Sequence, residues 1–158
     1  MKCLVTGGAG FIGSNLVDQL VKLDHQVIVL DNLSTGRLSN LYQVKKKIEF
    51  ANIDIANSEN SILEHFNNVD WVFHLAGLAD IVPSITNPNS YFKTNVKGTL
   101  NILEASKKVK IKKLIYAASA SCYGIPDKYP TNENSEIDPK YPYALTKFLG
   151  EQLVIHWA

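Results

Sequence analysis

The chain has little sulfur, little net charge and no long apolar run. Its 158 residues include only two cysteines, Cys3 and Cys122, and one methionine. Two thiols cannot build a disulfide framework and suit a reducing compartment, so a cytoplasmic protein is expected. Sixteen basic side chains against fifteen acidic ones leave a net charge of +1. That balance gives no electrostatic footprint for nucleic acid or an anionic membrane surface, and neither is expected as a partner. No apolar stretch approaches the ~20 residues of a membrane-spanning helix. Lys2–Thr6 opens directly into a strand-like run, without the layout of a signal peptide. His25, His65, His74 and His156 show no ligand spacing, so no metal is expected. What remains is the usage of an ordinary globular domain.

Short apolar runs alternate with longer helical patterns. The runs Lys2–Thr6, Gln26–Asp31, Ile48–Ile53, Val69–Ala76 and Lys113–Ala118 read as strands. They are β-branched and continuous rather than alternating, as in strands covered on both faces. Helical spacing is read over Phe11–Leu23, with Ile12, Leu16, Leu20 and Leu23 as its apolar positions. A second helix runs from Ser90 to Lys108, with Phe92, Val96, Leu100 and Leu103. The last begins at Pro142 and carries Leu145, Leu149, Leu153 and Trp157 on one stripe, read as its core face. Residues Gly124–Tyr141, rich in Pro, Asn, Asp and Glu, read as a surface loop. The alternation predicts an α/β fold with a doubly wound parallel sheet and helices in layers on both faces.

The segment Thr6-Gly7-Gly8-Ala9-Gly10-Phe11-Ile12-Gly13 joins the first strand to the first helix. Gly7 permits a tight turn, Gly10 lets backbone approach a pyrophosphate, and Gly13 lets the helix pack close to the sheet. The helix N-terminus then offers unpaired N–H groups to the phosphates. Asp31 ends the second strand, 18 residues after Gly13. A carboxylate there can accept hydrogen bonds from an adenosine ribose and repels a 2′-phosphate, which favours NAD, although Arg37 nearby keeps NADP open.

Thr-Gly-Gly-x-Gly-Phe-Ile-Gly resembles the extended short-chain dehydrogenase/reductase family, which includes nucleotide-sugar epimerases and dehydratases. Further pieces follow in order. Asp31-Asn32-Leu33-Ser34 looks like the family's adenosine-binding segment, and Asp54-Ile55 like its adenine-edge contact. His74-Leu75-Ala76-Gly77 looks like the segment along which the cofactor lies, and Asn95 matches the family's helix asparagine. Ser119, in Ser-Ala-Ser-Cys-Tyr-Gly, stands where the family carries its catalytic serine or threonine. Tyr143 and Lys147 match its Tyr-x-x-x-Lys pair. The resemblance implies a Rossmann domain with bound NAD. Residues 1–158 are read as that domain, carrying the catalytic residues but lacking the C-terminal substrate domain that closes the sugar-nucleotide pocket in the family.

Tyr143 and Lys147 are four apart on one helix and share a face, placed opposite the Leu145/Leu149/Leu153 stripe. A free tyrosine, with a pKa of about 10, is a poor base at neutral pH, and a nearby ammonium lowers that value. Lys147 can also hold the nicotinamide ribose. Ser119 can hydrogen-bond a sugar oxygen as it becomes a carbonyl, with Ser121 as a second substrate contact. Tyr143 is expected to take a hydroxyl proton while hydride moves to NAD+; return of hydride to the opposite face gives the epimer. Ser119-Ala120-Ser121 stands where the family's dehydratases carry Thr-Asp-Glu, so dehydration is disfavoured. A UDP-sugar 4-epimerase acting on UDP-glucose or UDP-N-acetylglucosamine is expected. A UDP-glucuronate decarboxylase and a dinucleotide-binding module without turnover stay open. By resemblance the chain dimerises through the Asn95 and Tyr143 helices. Cys122 is read as inert and Cys3 as core.

Overall fold

The computed structural model describes residues 1–57, 59–126 and 128–157. Its strands β1 (Lys2–Thr6), β2 (Gln26–Asp31), β3 (Ile48–Asn52), β4 (Trp71–His74) and β5 (Lys113–Tyr116) form one parallel sheet in the order β3-β2-β1-β4-β5. In register, Thr6 lies beside Leu30 on β2 and His74 on β4. The chain order reverses between β1 and β4, where an open α/β sheet forms a crevice beyond its carboxyl ends.

Successive strand side chains point to opposite faces, and both faces are covered. Cys3, Val5, Val27 and Val29 pack with Val17, Leu20 and Val21 of α1 (Phe11–Lys22). Leu4, Ile28, Leu30 and Val72 pack on the other side. Their partners are Ile62 of α2 (Glu59–Leu63), Phe66, and Ile102 and Ala105 of α5 (Thr99–Val109). This double burial explains why the strands are continuously apolar. The expected α/β sheet with helices in layers is therefore present.

Three strands end earlier than their apolar runs. Residues 53, 75–76 and 117–118 lie past the ladder at the carboxyl edge: Ile53, Leu75 and Ala117 each still donate one backbone bond to the neighbouring strand, and Ile53, Leu75, Ala76 and Ala117 border the crevice. The Ser90–Lys108 reading resolves into α4 (Pro88–Tyr91), a π-helical turn (Phe92–Gly98) and α5. The short helices α2 and α3 (Ile81–Thr86) were too brief to show a period. The Gly124–Tyr141 reading as a loop holds for its described residues; Asp127 within it lies outside them, as do Ser58 and Ala158 of the 1–158 domain reading. None of the helices in the described residues is long and apolar enough to cross a membrane.

The helix stripes need correction. On α1 the buried positions are Gly13, Ser14, Val17, Leu20 and Val21, whereas Ile12 and Leu23 are exposed. Ile12, in the first turn, faces the crevice rather than the sheet. On α6 (Pro142–Trp157) the buried residues are Ala144, Thr146, Lys147 and Gly150, and Leu145 is 45% exposed. The leucine stripe is thus not the core face. Small residues let the polar side dock: a Cβ on Gly150 would run into the Tyr116 hydroxyl and lie 3.1 Å from the Asn95 carbonyl. Phe92 is likewise 53% exposed, and it and Val96 lie beside Leu149 and Leu153 in one outward groove.

Phe66, fully enclosed beneath β1 and β4, offers a test of this packing. Phe66→Ala should lower unfolding free energy by about 3–5 kcal/mol, read as an earlier urea midpoint by circular dichroism.

Candidate functional site

The turn after β1 sets the geometry. Gly7 adopts φ +68°, in the left-handed region that only glycine enters freely. A Cβ there would sit 2.7 Å from the Ala76 nitrogen. Gly7 N–H donates to the Leu30 carbonyl at 2.8 Å, and Gly10 N–H donates to the Gly7 carbonyl at 3.1 Å. A Cβ on Gly13 would strike the Gly7 carbonyl and lie 2.7 Å from Gly8 Cα. Its bareness therefore serves the approach of α1 to the turn itself, a closer neighbour than the strand. Gly10 caps α1 in extended conformation. Together these leave the twelve-residue helix with its positive end at the crevice, the arrangement that receives a pyrophosphate.

Asp31 holds this turn from the side. It is 8% exposed; its Oδ2 accepts from Ala9 N at 2.9 Å and its Oδ1 from Leu33 N at 2.8 Å. Each oxygen keeps a further lone pair for a ribose hydroxyl. Asn32 Oδ1 accepts from Ser34 N at 3.0 Å, closing the corner after β2. At the end of β3, Asp54 Oδ1 accepts from Ala56 N at 2.9 Å, while Ile55 is buried and packs on Gly98.

These elements line a cleft of about 350 Å³. The sequence-predicted cofactor residues Gly7, Gly10, Phe11, Ile12, Gly13, Asp31, Asn32, Ser34, Asp54, Ile55, Leu75, Ala76 and Gly77 all border it. Phe11, 85% exposed, stands at its mouth. Asn95 and Lys147 lie just behind this lining: a Cβ on Gly77 would come 3.2 Å from Asn95 Oδ1 and 3.9 Å from Lys147 Nζ. Asn95 Oδ1 accepts from Leu78 N at 2.8 Å, and its Nδ2 donates to the Leu78 carbonyl at 3.0 Å and to Thr146 Oγ1 at 3.1 Å. Sequence reasoning missed the cleft residues Leu30, Thr35, Ile53, Leu78, Ala79, Thr94 and Ala117, whose only signal is lying within two residues of predicted positions.

Ser119, Tyr143 and Lys147 converge at the β5 side. Ser119 Oγ lies 3.3 Å from Tyr143 Oη and accepts from Ser121 N at 3.2 Å. Ser121 enters this site through its amide. Lys147 Nζ donates to the Ala117 carbonyl and lies 4.3 Å from the Tyr116 ring centroid, over its face. Burial lowers the Lys147 ammonium to about 8, with the Glu151 charge opposing. Tyr116 also donates its hydroxyl to the Lys147 carbonyl at 3.2 Å, and burial, followed by Glu151, raises its own pKa. Thr146 Oγ1 donates to the Tyr143 carbonyl at 2.9 Å. Tyr91 stands edge-on to Tyr143, with centroids 6.4 Å apart, and donates to the Ala79 carbonyl. Neither Tyr91, Tyr116 nor Thr146 was read as part of the site. Cys3 and Cys122 are buried, and burial raises both thiols, as suits inert positions.

The arrangement offers a helix N-terminus open at the crevice, a buried carboxylate beside it, and a pair of hydroxyls one helical turn from a buried ammonium. A family model described as the NAD-dependent epimerase/dehydratase family matches residues 3–158. The UDP-glucose 4-epimerase of Mycolicibacterium smegmatis is 39% identical over 155 residues, covering 96% of this chain and 49% of that protein. Among solved structures, the UDP-glucose 4-epimerase of Thermotoga maritima with UDP-glucose superposes with a TM-score of 0.94 at 37% identity, covering 100% of this chain and 51% of that one. That of Bifidobacterium longum, in complex with NAD+ and UDP, gives 0.92 at 31% identity, covering 99% and 48%. The chain spans about half the length of the curated relatives it matches. With the family model matching nearly every residue, the chain belongs to the NAD-dependent epimerase/dehydratase family.

Proposed function

We propose that residues 1–158 are the NAD-binding, proton-transferring domain of a UDP-sugar 4-epimerase, its sugar-nucleotide-binding residues lying largely outside them. The observation that carries this reading is the pairing of Ser119 Oγ with Tyr143 Oη at 3.3 Å, one helical turn from Lys147, whose ammonium lies near Gly77 at the edge of the glycine-lined cleft. The UDP-glucose 4-epimerases among the relatives support the substrate class. NAD+, when bound, supplies the hydride acceptor and donor that inversion at a carbinol carbon requires. Gly7, Gly10, Gly13 and the α1 N-terminus receive its pyrophosphate. Asp31, with Asn32 and Ser34 beside it, receives the adenosine ribose, and Asp54 and Ile55 flank the adenine.

Tyr143 Oη takes the proton of the sugar 4-hydroxyl and later returns it. Ser119 Oγ, within reach of Tyr143 Oη, donates to the same sugar oxygen as it gains carbonyl character. Ser121 is the second contact to the sugar. With a pKa of about 8, Lys147 remains mostly an ammonium at neutral pH. Lys147, whose ammonium lies near Gly77, holds the nicotinamide ribose.

We further infer that the outward face of Phe92, Val96, Leu149 and Leu153 seats a second copy of the chain, making a homodimer through the Asn95 and Tyr143 helices. Leu149→Glu should convert a dimer to a monomer by sedimentation velocity; a dimer that persists would place the interface elsewhere.

Incubation of a protein that carries residues 1–158 together with the sugar-nucleotide-binding part with NAD+ and UDP-glucose should give UDP-galactose, read by anion-exchange chromatography. Tyr143→Phe should slow it about 10²-fold or more, while NAD+ affinity changes little. Pentose product from UDP-glucuronate would point instead to a decarboxylase, and NAD+ binding without either product to a cofactor module.

Lys147 also makes stability depend on pH. The unfolded lysine, near 10.5, holds its proton above pH 8, where the folded one has begun to release it. The unfolded state then binds more protons, so this site's penalty is full below about pH 8 and is relieved as pH rises toward 10. Lys147→Met removes the penalty. Its urea midpoint should exceed that of the unaltered chain most at pH 7, with the gap narrowing toward pH 10.

A further inference from the structure

His74 ends β4 and is 1% exposed, yet the proposed proton transfer does not use it. Each ring nitrogen meets a threonine hydroxyl: Nδ1 lies 2.7 Å from Thr6 Oγ1, and Nε2 lies 2.9 Å from Thr99 Oγ1. The neighbours assign the protons. Thr6 Oγ1 accepts from the amide of Ala76 at 3.1 Å and shares that of Leu75, at 3.2 Å, with the Thr6 carbonyl. With amides on its acceptor side, its single proton points to Nδ1, which accepts it. At the other end, Thr99 Oγ1 donates to the Asn95 carbonyl at 2.7 Å. A carbonyl can only accept, so Thr99 Oγ1 receives the proton of Nε2. The Thr99 end fixes the tautomer, and the Thr6 end agrees with it. Burial, with the Lys147 charge adding to it, lowers the imidazole to about 3, so the ring is uncharged near neutrality.

We infer that His74 is a positioning residue: as a fixed Nε2–H tautomer it ties the Leu75–Ala76 backbone, through Thr6, to the Asn95 carbonyl, through Thr99. The first end of this relay is the wall of the cleft, directly against Gly7. The second lies in the π-helical turn, where backbone bonding shifts from i+4 to i+5 and the Thr99 hydroxyl supplies a donor at i+4. The Asn95 side chain continues the connection to Leu78 and to Thr146, the neighbour of Lys147. The Thr99 proton can go to the Asn95 carbonyl or to the Tyr116 hydroxyl, whose own proton goes to the Lys147 carbonyl; either way Nε2 must donate, so the chain of bonds keeps one polarity and reversing it would strand a buried polar group. The inference rests on the NAD reading of the cleft, since what the relay positions is the wall that faces the cofactor.

The test uses the 158-residue chain labelled with 15N-histidine. A long-range 1H–15N spectrum should show His74 protonated at Nε2 and accepting at Nδ1, unchanged between about pH 5 and 8. A proton on Nδ1, or a titration in that range, would overturn the relay whether or not NAD+ binds. Thr99→Val removes the hydroxyl while keeping the shape. Its dissociation constant for NAD+ should rise about fivefold or more, and Thr99→Ser should restore it to within about twofold. A purely structural role would lower the unfolding midpoint of Thr99→Val but leave its NAD+ affinity unchanged, and that result would overturn the positioning role. If Thr99→Val does not fold, hydrogen exchange at the Leu75 and Ala76 amides of the unaltered chain decides: protection that increases with NAD+ supports the role, and unchanged protection sinks it. Failure of the unaltered chain to bind NAD+ would overturn the cofactor reading separately, leaving the tautomer to stand or fall by its spectrum.

Discussion

The approach of Gly7 to the backbone of Ala76 is the contact on which the site depends. β1 and β4 are neighbours in the sheet, and the connections that follow them lead to α1 on one face and α5 on the other. Between those diverging connections a crevice opens, and its depth is set by how closely the turn after β1 can lie against the segment after β4. With only hydrogen on Gly7, the turn stays within van der Waals reach of residue 76. Gly13 can then close on the same turn, and the N-terminus of α1 arrives over the crevice rather than beside it. The same proximity lets one threonine hydroxyl on β1 gather the amides of Leu75 and Ala76. A Cβ at position 7 would widen all of these distances together.

The second constraint is the orientation of α6. A helix carrying three leucines at four-residue spacing would ordinarily turn them inward. Here the inward face is Ala144, Thr146, Lys147 and Gly150, because the π-helical turn and Tyr116 leave room only for small groups and supply partners for polar ones. Burying an ammonium is expensive without compensation. The Ala117 carbonyl and the Tyr116 ring offset that cost for Lys147. Leu145 is then exposed, and Leu149 and Leu153 stand half-buried beside Phe92 and Val96, so that two apolar stripes form one surface.

That inversion also marks what could be read from the sequence. The strands were legible because double burial makes Leu4–Val5 or Val27–Leu30 apolar on every residue, a signal that needs no knowledge of neighbours. The cleft was legible because Gly7, Gly13 and Asp31 act within a single strand–turn–helix–strand unit. The facing of α6 was not, since periodicity reports an apolar stripe without saying whether a sheet or another surface covers it. Nor were the strand ends: Leu75 and Ala76 are as apolar as β4 itself, and the ladder ends because β1 turns away at Gly7. Tyr116 and Thr99 were invisible for a different reason. Their roles depend on contacts with Lys147 and His74, 31 and 25 residues away, which no local pattern records.

The interior behind the cleft holds two groups that could each carry positive charge, and their environments separate them. His74 lies between two hydroxyls whose own bonds leave it one proton, and a second proton would point at a donor. Lys147 lies against a carbonyl and an aromatic face, both of which favour a cation. Each would raise the cost of charging the other, since the Lys147 charge already lowers His74. Near neutrality the conflict resolves in one direction: the imidazole is neutral and the ammonium retains most of its charge. This is the pattern expected when neighbouring titratable groups are given distinct tasks. The charge stays on the residue adjoining Gly77 and the rim of the cleft, while the neutral ring supplies only direction to the hydrogen bonds that shape its wall.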